Sequence, residues 1–187
     1  AEPSDCCCGQ QLRTKNVSSA LRRIYSSLDL YMLFSYDQLY QFTYAVFRSI
    51  GCSDEHAATA TRGLIAADIR GIDSHGVARL TGYVRLWEAG RVNASPVLQI
   101  VHETPSTAVV DGDAGLGLVV APFAMQLAIE KAKNVGTGWV SVRNSNYFGI
   151  AGHHARMALE QDMIGMAMTN ASALVAPTFS IERMLGT

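Results

Sequence analysis

The stretch VVDGDAGLGLVV, Val109 to Val120, decides what kind of fold this chain can have. It reads as a strand running into a glycine-bearing turn and then a helix, the place where a Rossmann unit carries its dinucleotide fingerprint. Gly115 and Gly117 suit the first two glycines of that pattern. Val120 occupies the place of the third, and no acidic residue ends a well-spaced second strand. The stretch is therefore read as a tight turn rather than a dinucleotide fingerprint.

Working outward, LQIVHE and TAVVD read as short strands on either side of a Thr-Pro-Ser turn. Pro122 to Lys133 has the pattern of an alanine-rich amphipathic helix, and GWVSV that of another strand. Ala151 to Gln161 is helical again, and MIGMAMT reads as a strand entering a loop at Asn170. Strands alternating with helices predict an α/β sheet layer. Upstream the texture is helical. Leu39, Phe42, Val46, Phe47 and Ile50 share one face of a first helix that Gly51 ends. Ser53 caps a second, with Ala57, Ala60, Leu64 and Ala67 as its buried stripe. A third runs from Gly76 to Ala89, with Val77, Leu80, Val84 and Trp87 inward and Gly90 as its stop. Three regions result: an N-terminal extension over 1–35, a helical segment over 36–95 and an α/β part over 96–187. The last residues, SIERMLGT, read as a loop without a closing element, so the chain is expected to be part of a longer protein.

Composition narrows the classes. Hydrophobic residues make up 49% of the chain and charged ones 17%, which favours a buried core over disorder. The net charge is −1, with Lys and Arg scattered, so no basic footprint for nucleic acid or an anionic membrane is expected. No apolar run approaches the roughly 20 residues that span a bilayer. Cys6, Cys7 and Cys8 are consecutive and Cys52 stands alone, a spacing unlike a zinc site, so no metal is expected. Gly9 to Ser27 lacks acids and holds Arg13, Lys15, Arg22 and Arg23 among serines. That composition allows a transit segment, or simply an unstructured extension.

The chemistry concentrates in RGIDSHGVARL, Arg70 to Leu80. A serine nucleophile beside its own base is disfavoured, because neighbouring side chains on a strand or helix diverge, and no Gly-x-Ser-x-Gly elbow is present. His75 suits acid–base work, since an imidazole titrating near pH ~6.5 both takes and returns a proton. Ser74 is then placed to orient the ring or to bind substrate. Arg79 lies one helical turn beyond His75, and a guanidinium grips a carboxylate through two parallel hydrogen bonds. Base and arginine together suit a substrate with a carboxylate beside a hydroxyl or carbonyl. In isolation His75 equally suits a helix cap, and Arg70 a salt bridge to Asp68 or Asp73. A second constellation is RNSNYFGIAGHH, Arg143 to His154, at a strand-to-helix turn. Asn144, Asn146, Tyr147 and Gly149 are its candidates for meeting a phosphate or carboxylate, the alternative being an ordinary turn. His153 and His154 read as an exposed pair.

Taken together, DIRGIDSHGVARL, DGDAGLG, RNSNYFGIAG, MTNASALVAP and MLGT resemble the type 2 malate/L-lactate dehydrogenase family, in order and spacing, from about Tyr36 to Thr187. Its members include malate, sulfolactate and ureidoglycolate dehydrogenases and reductases of cyclic imino acids. The resemblance implies NAD or NADP as cofactor, bound by a three-layer α/β/α fold with a mixed sheet that is not a Rossmann fold. The α/β part would then be a partial cofactor-binding domain, following the helical segment that carries the catalytic motif. It implies a homodimer, Ser74 as relay serine, His75 as the proton-transferring residue and Arg79 as the carboxylate ligand. Tyr147, Phe148, Gly149, Ile150 and Ala151 would contact the cofactor, with Asn170 and Ala171 on the same side and Thr187 at the substrate edge. Many members carry histidine where Tyr147 stands. A phenol with pKa about 10 is a poor base near neutrality, which leaves His75 as the base and Tyr147 as a positioning residue. The family chain also continues well past residue 187.

The expectation is thus an NAD(P)-dependent oxidoreductase of small 2-hydroxy acids, of malate or lactate type. The alternatives are a cyclic imino-acid reductase of the same family and a non-catalytic fragment. A cytoplasmic location is expected, or a mitochondrial one if residues 1–31 form a transit segment. Neither nucleic acid nor membrane is expected as a partner.

Overall fold

The structure is a computed structural model that describes residues 33–186. The expected N-terminal extension, up to residue 32, and Thr187 lie outside the described residues. From Ser35 onward the chain forms one compact unit.

Helix α1, Tyr36–Ser49, begins at a reciprocal cap: the Ser35 hydroxyl accepts from the Gln38 amide at 3.2 Å, and the Gln38 side chain accepts from the Ser35 amide at 2.9 Å. Its inward stripe is Thr43, Phe47 and Ile50. Phe42, expected inside, is 58% exposed, because Thr43 and Phe47 set the buried face and Phe42 lies one residue off it. Helix α2, Asp54–Ile69, is capped by Ser53 and buries Ala57, Ala60, Leu64 and Ala67 as its pattern requires. These small side chains let α1 pack closely against it.

The expected third helix, Gly76 to Ala89, is α-helical only from Leu80. Two single 3₁₀ turns, Asp73–His75 and Val77–Arg79, precede helix α3, Leu80–Glu88. The cause is Gly76, whose ψ of −145° is not helical. The Asp68 carboxylate holds it there by accepting from the Val77 amide at 2.8 Å. Inside α3 the buried aromatic is Tyr83 rather than Trp87, which is 38% exposed.

The sheet has the order β1-β2-β3, with β1 Gln99–Glu103, β2 Thr107–Gly115 and β3 Trp139–Ser145. β1 and β2 form an antiparallel pair with a bulge between Ile100 and His102, while β2 and β3 are parallel. The sheet is therefore mixed, as expected. Helix α4, Gly117–Val135, makes the crossover between the parallel strands and lies along the face that carries Ala108 and Val110. It starts five residues before Pro122. The proline removes one helical hydrogen bond, and Leu118, Val119 and Val120, all buried, hold the first turns in place. Lys131, 8% exposed, ties α4 to β1 through Glu103 at 3.0 Å and the Thr104 carbonyl at 2.7 Å. On the opposite face Trp139 is 55% exposed, so two of the three expected layers lie among the described residues.

Helix α5, Ala151–Leu159, follows β3. The expected strand MIGMAMT, residues 163–169, is extended but unpaired. Met163, Gly165 and Ala167 are half-buried while Ile164, Met166 and Met168 are exposed, so the period-two pattern is present and only the ladder is missing. The main core joins Phe47, Leu64, Leu80 and Tyr83 to Leu116 and Leu118 at the start of α4. Among the described residues no helix is long and apolar enough to cross a membrane.

Candidate active site

The turn between α2 and α3 builds the site. Gly71, at φ +70°, takes the chain out of α2 in a conformation that costs a glycine little. The Ile72 carbonyl then accepts from the His75 amide at 3.0 Å. Gly76 is buried against Asp68, with no room for a side chain between them. Burial pushes the Asp68 carboxyl up from the usual range, and the hydrogen bond from Val77 partly offsets this. From the sequence Asp68 was named only as a salt-bridge partner for Arg70, and its role over Gly76 was missed. Its signal lay in its position one turn before Gly71, where it can fold back over the glycines.

This clamp sets the catalytic candidates side by side. The Ser74 hydroxyl lies 2.8 Å from His75 Nδ1. The divergence expected of neighbouring side chains does not hold here, because the residues sit on a 3₁₀ turn rather than a strand or regular helix. The bond is to Nδ1, so Ser74 orients the ring and leaves Nε2 available. Arg79 Nε donates to the Ser74 carbonyl at 2.5 Å, which brings the guanidinium back over the same turn. His75 is half-buried, while Ser74 and Arg79 are exposed. Arg70 makes none of the ion pairs found among the described residues.

Two tyrosines close the cluster. The Tyr147 ring stands 6.3 Å from that of His75 and 5.7 Å from that of Tyr83. Burial raises the Tyr147 phenol above its ordinary range, and Arg79 works against the shift. Tyr83 is 2% exposed, and its hydroxyl has no partner among the described residues. Its phenol is raised further, by burial first and then by Tyr147. Sequence reading missed Tyr83, although Arg79 and Tyr83 are spaced by four within the helix expected from Gly76.

The turn after β3 divides its residues between structure and site. Asn146 is spent on the backbone, donating to the Ala114 carbonyl at 2.7 Å and the Gly115 carbonyl at 3.2 Å. Asn144, at φ +51°, donates to Asp111 at 3.1 Å. The Asp113 amide, Asn144 and Arg143 together hold the Asp111 carboxyl below its ordinary range. Gly117 is pressed against the backbone of Asn146 and Tyr147, so the DGDAGLG glycines serve chain packing. Gly149, at φ +77°, leads through Ile150 into α5, whose N-terminus has no side-chain cap. His153 and His154 are not an exposed pair. His154 is 1% exposed, with its Nε2 2.8 Å from the Phe148 carbonyl and its Nδ1 unpartnered. His153 packs over Gly63 of α2, and its pKa falls to about 4 through burial, then His154 and Arg70.

Phe148, Ile150 and Ala151 thus continue from the Tyr147 side of the cluster. Asn170 instead borders a trough along β3, and Ala171 rests against Gly186, so neither is brought against His75. Thr187 lies outside the described residues. No group of three or more His, Cys, Asp or Glu side chains suited to a metal occurs among the described residues.

Residues 34–187 match the malate/L-lactate dehydrogenase family. A malate dehydrogenase of Pyrococcus abyssi is 51% identical over 81% of this chain and 42% of its own. An L-sulfolactate dehydrogenase of Methanocaldococcus jannaschii is 46% identical over 76% of this chain and 41% of its own. The solved malate dehydrogenase of Pyrococcus horikoshii superposes with a TM-score of 0.76 at 49% identity, over 80% of this chain and 43% of that one. The chain therefore spans about two fifths of the length of the relatives it matches. With the family matched from residue 34 onward and the His75–Arg79 turn intact within it, the chain belongs to the malate/L-lactate dehydrogenase family.

Proposed function

We propose that the protein serves, by itself or within a longer chain, as an NAD(P)-dependent dehydrogenase of small 2-hydroxy acids such as malate, lactate or sulfolactate. The observation that carries this reading is the joined Ser74–His75–Arg79 turn. With Nδ1 engaged by Ser74, Nε2 is the nitrogen that takes the substrate hydroxyl proton, and in the reverse direction returns it to the carbonyl oxygen. Arg79 uses Nε on the Ser74 carbonyl. Its two terminal nitrogens are then the pair that grips the substrate carboxylate end-on. Tyr147, its phenol raised by burial, stays protonated near neutrality and acts as a hydrogen-bond donor beside His75.

A nicotinamide cofactor fits the Tyr147–Ala151 turn on two counts. The first turn of α5 has uncapped amides, and Gly149 allows close approach of the backbone. Phe148 and Ile150 would flank it, with Asn170 and Ala171 completing the cofactor contacts and Thr187 at the substrate edge in the assembled enzyme. When bound, the cofactor supplies the hydride acceptor or donor. The choice between NAD and NADP, a homodimer and a cytoplasmic location belong to the same proposal, with mitochondria as the location if residues 1–31 act as a transit segment.

The test is fluorescence titration of the protein with NADH and NADPH, followed by assay on malate, lactate and sulfolactate. His75→Ala should lower turnover by about 10²–10⁴ while leaving cofactor affinity unchanged. Retained turnover would remove His75 from the role, and failure to bind either cofactor would overturn the dehydrogenase reading for this chain.

A further inference from the structure

We propose that Arg62, Arg70 and Arg156, gathered around His153 where α5 packs on α2, form a binding site for a phosphate-class dianion. Gly63 makes the close approach possible. A β-carbon there would stand 3.2 Å from Leu118 and 3.6 Å from the His153 ring, so the bare backbone is what lets the ring lie against α2. The three arginines surround that contact. Arg62 is the residue before Gly63, and Arg70, just past the end of α2, lies seven after it, two helical turns along the same face. Arg156 stands three residues beyond His153 on α5, the neighbouring position on its surface. All three arginines are exposed, and His153 is half-buried.

These charges are not answered within the fold. Among the described residues Arg48, Lys131 and Arg143 each meet a carboxylate, whereas Arg62, Arg70 and Arg156 meet none. Arg62 donates to the Thr59 hydroxyl at 3.1 Å, and the side chains of Arg70, Arg156 and His153 make no hydrogen bond among the described residues. The charged and titratable groups that bear on the His153 ring are His154, Arg70, Arg62 and Arg156, with no carboxylate among them. Attraction of a cation to a helix C-terminus explains Arg70 and Arg156 one at a time, since each stands at the end of its helix. It does not explain why Arg62 joins them around one imidazole. Like charges on one patch repel, and a bound anion replaces that repulsion with attraction.

The charge count selects the ligand. A carboxylate answers one guanidinium and leaves the other two in conflict. A phosphoryl group carries close to two negative charges near neutrality and offers three acceptor oxygens. Guanidinium forks match those oxygens in pairs. His153, held neutral near pH 7 by burial and then by its neighbours' charges, contributes an N–H without adding to the repulsion. Its protonation is opposed from α5 by His154 and Arg156 and from α2 by Arg70 and Arg62, so an anion that offsets the arginines makes that protonation easier. Two sources share this chemistry: free phosphate, and the phosphate of a nucleotide seated on the Tyr147–Ala151 turn, which ends two residues before His153. The site itself does not depend on the dehydrogenase reading.

The test follows the imidazole signals of the 187-residue protein by NMR while inorganic phosphate replaces chloride at constant ionic strength, with His153→Gln to assign the signal. The His153 signal should shift and saturate, and its pKa should climb from about 4 toward 6.5. Arg70→Ala and Arg156→Ala should each weaken phosphate about tenfold or more, while Arg85→Ala, on α3, binds as the parent does. Arg70→Lys and Arg156→Lys keep the charge and lose the fork, so they should weaken binding too, and a folding defect in the alanine variants would not hide the result. A shift that never saturates, or that Arg85→Ala weakens equally, would overturn the site in favour of diffuse screening. Addition of NADH or NADPH then names the source. Displacement of phosphate assigns the site to the nucleotide's own phosphate, and simultaneous binding assigns it to free phosphate. A protein that binds phosphate here and neither nucleotide keeps this site while losing the dehydrogenase reading.

Discussion

A serine and a histidine adjacent in sequence are within hydrogen-bond distance in this chain, and the reason is local. On a 3₁₀ turn successive side chains splay less usefully for packing but allow Ser74 Oγ to reach Nδ1 of the next residue. The bond selects which ring nitrogen remains for chemistry. Arg79 shows the same economy, with one nitrogen anchoring the turn and two left for a ligand. Lysine at this position would keep the charge and lose the fork. Arg79→Lys is expected to weaken binding of a 2-oxo acid by roughly 10- to 100-fold, the worth of a charged hydrogen bond, with NADH affinity unchanged. Inhibition constants for a non-reacting dicarboxylate measure this directly, and an unchanged constant would place the carboxylate elsewhere.

At the scale of elements, the decisive one is the break between α2 and α3. Asp68 satisfies the Val77 amide and packs on Gly76, so the site turn is held by a residue that need never touch substrate. Asp68→Ala leaves that amide without its partner and should cost about 1–3 kcal/mol, measured as a lower urea midpoint with unchanged slope. The glycine pattern, the Ser-His pair and a third helix starting near Gly76 were legible in the sequence, but the 3₁₀ turns before Leu80 were not. A periodicity reading follows side-chain spacing and starts the helix at Gly76, whereas the 3₁₀ turns before Leu80 depend on an aspartate eight residues before that glycine. The same limit explains Pro122. A proline marks a helix start by local preference, and only the burial of Leu118, Val119 and Val120 shows why α4 begins before it. The α2 stripe was fully legible, since small apolar residues at helical spacing leave one answer. Segment 163–169 was legible as a strand in its alternation, but pairing is a property of two chains and cannot be read from one.

At the scale of the molecule, the buried histidines couple the fold to pH. His153 sits between α2 and α5 in contact with His154, with Arg62, Arg70 and Arg156 nearby, and its pKa is lowered from 6.5 to about 4. The unfolded chain takes up this proton as pH falls through about 6.5, whereas the folded chain does so only near 4, so protons favour the unfolded state in between. The stabilisation is complete above the unfolded value and is lost as pH falls toward the folded one. Thermal midpoints should therefore drop between pH 7 and pH 4, and His153→Gln should flatten that dependence. A wild-type midpoint insensitive to acid over this range would show that the α2–α5 packing tolerates a charge.

The exposure of Trp139 at the head of β3 has an optical consequence. The chain holds two tryptophans, and the other, Trp87, sits on α3. In a Trp87→Phe background the emission colour of the remaining indole reports the wetness of the sheet's open face. Red emission that turns blue as more of the family's chain is appended would follow, in real time, the covering of that face.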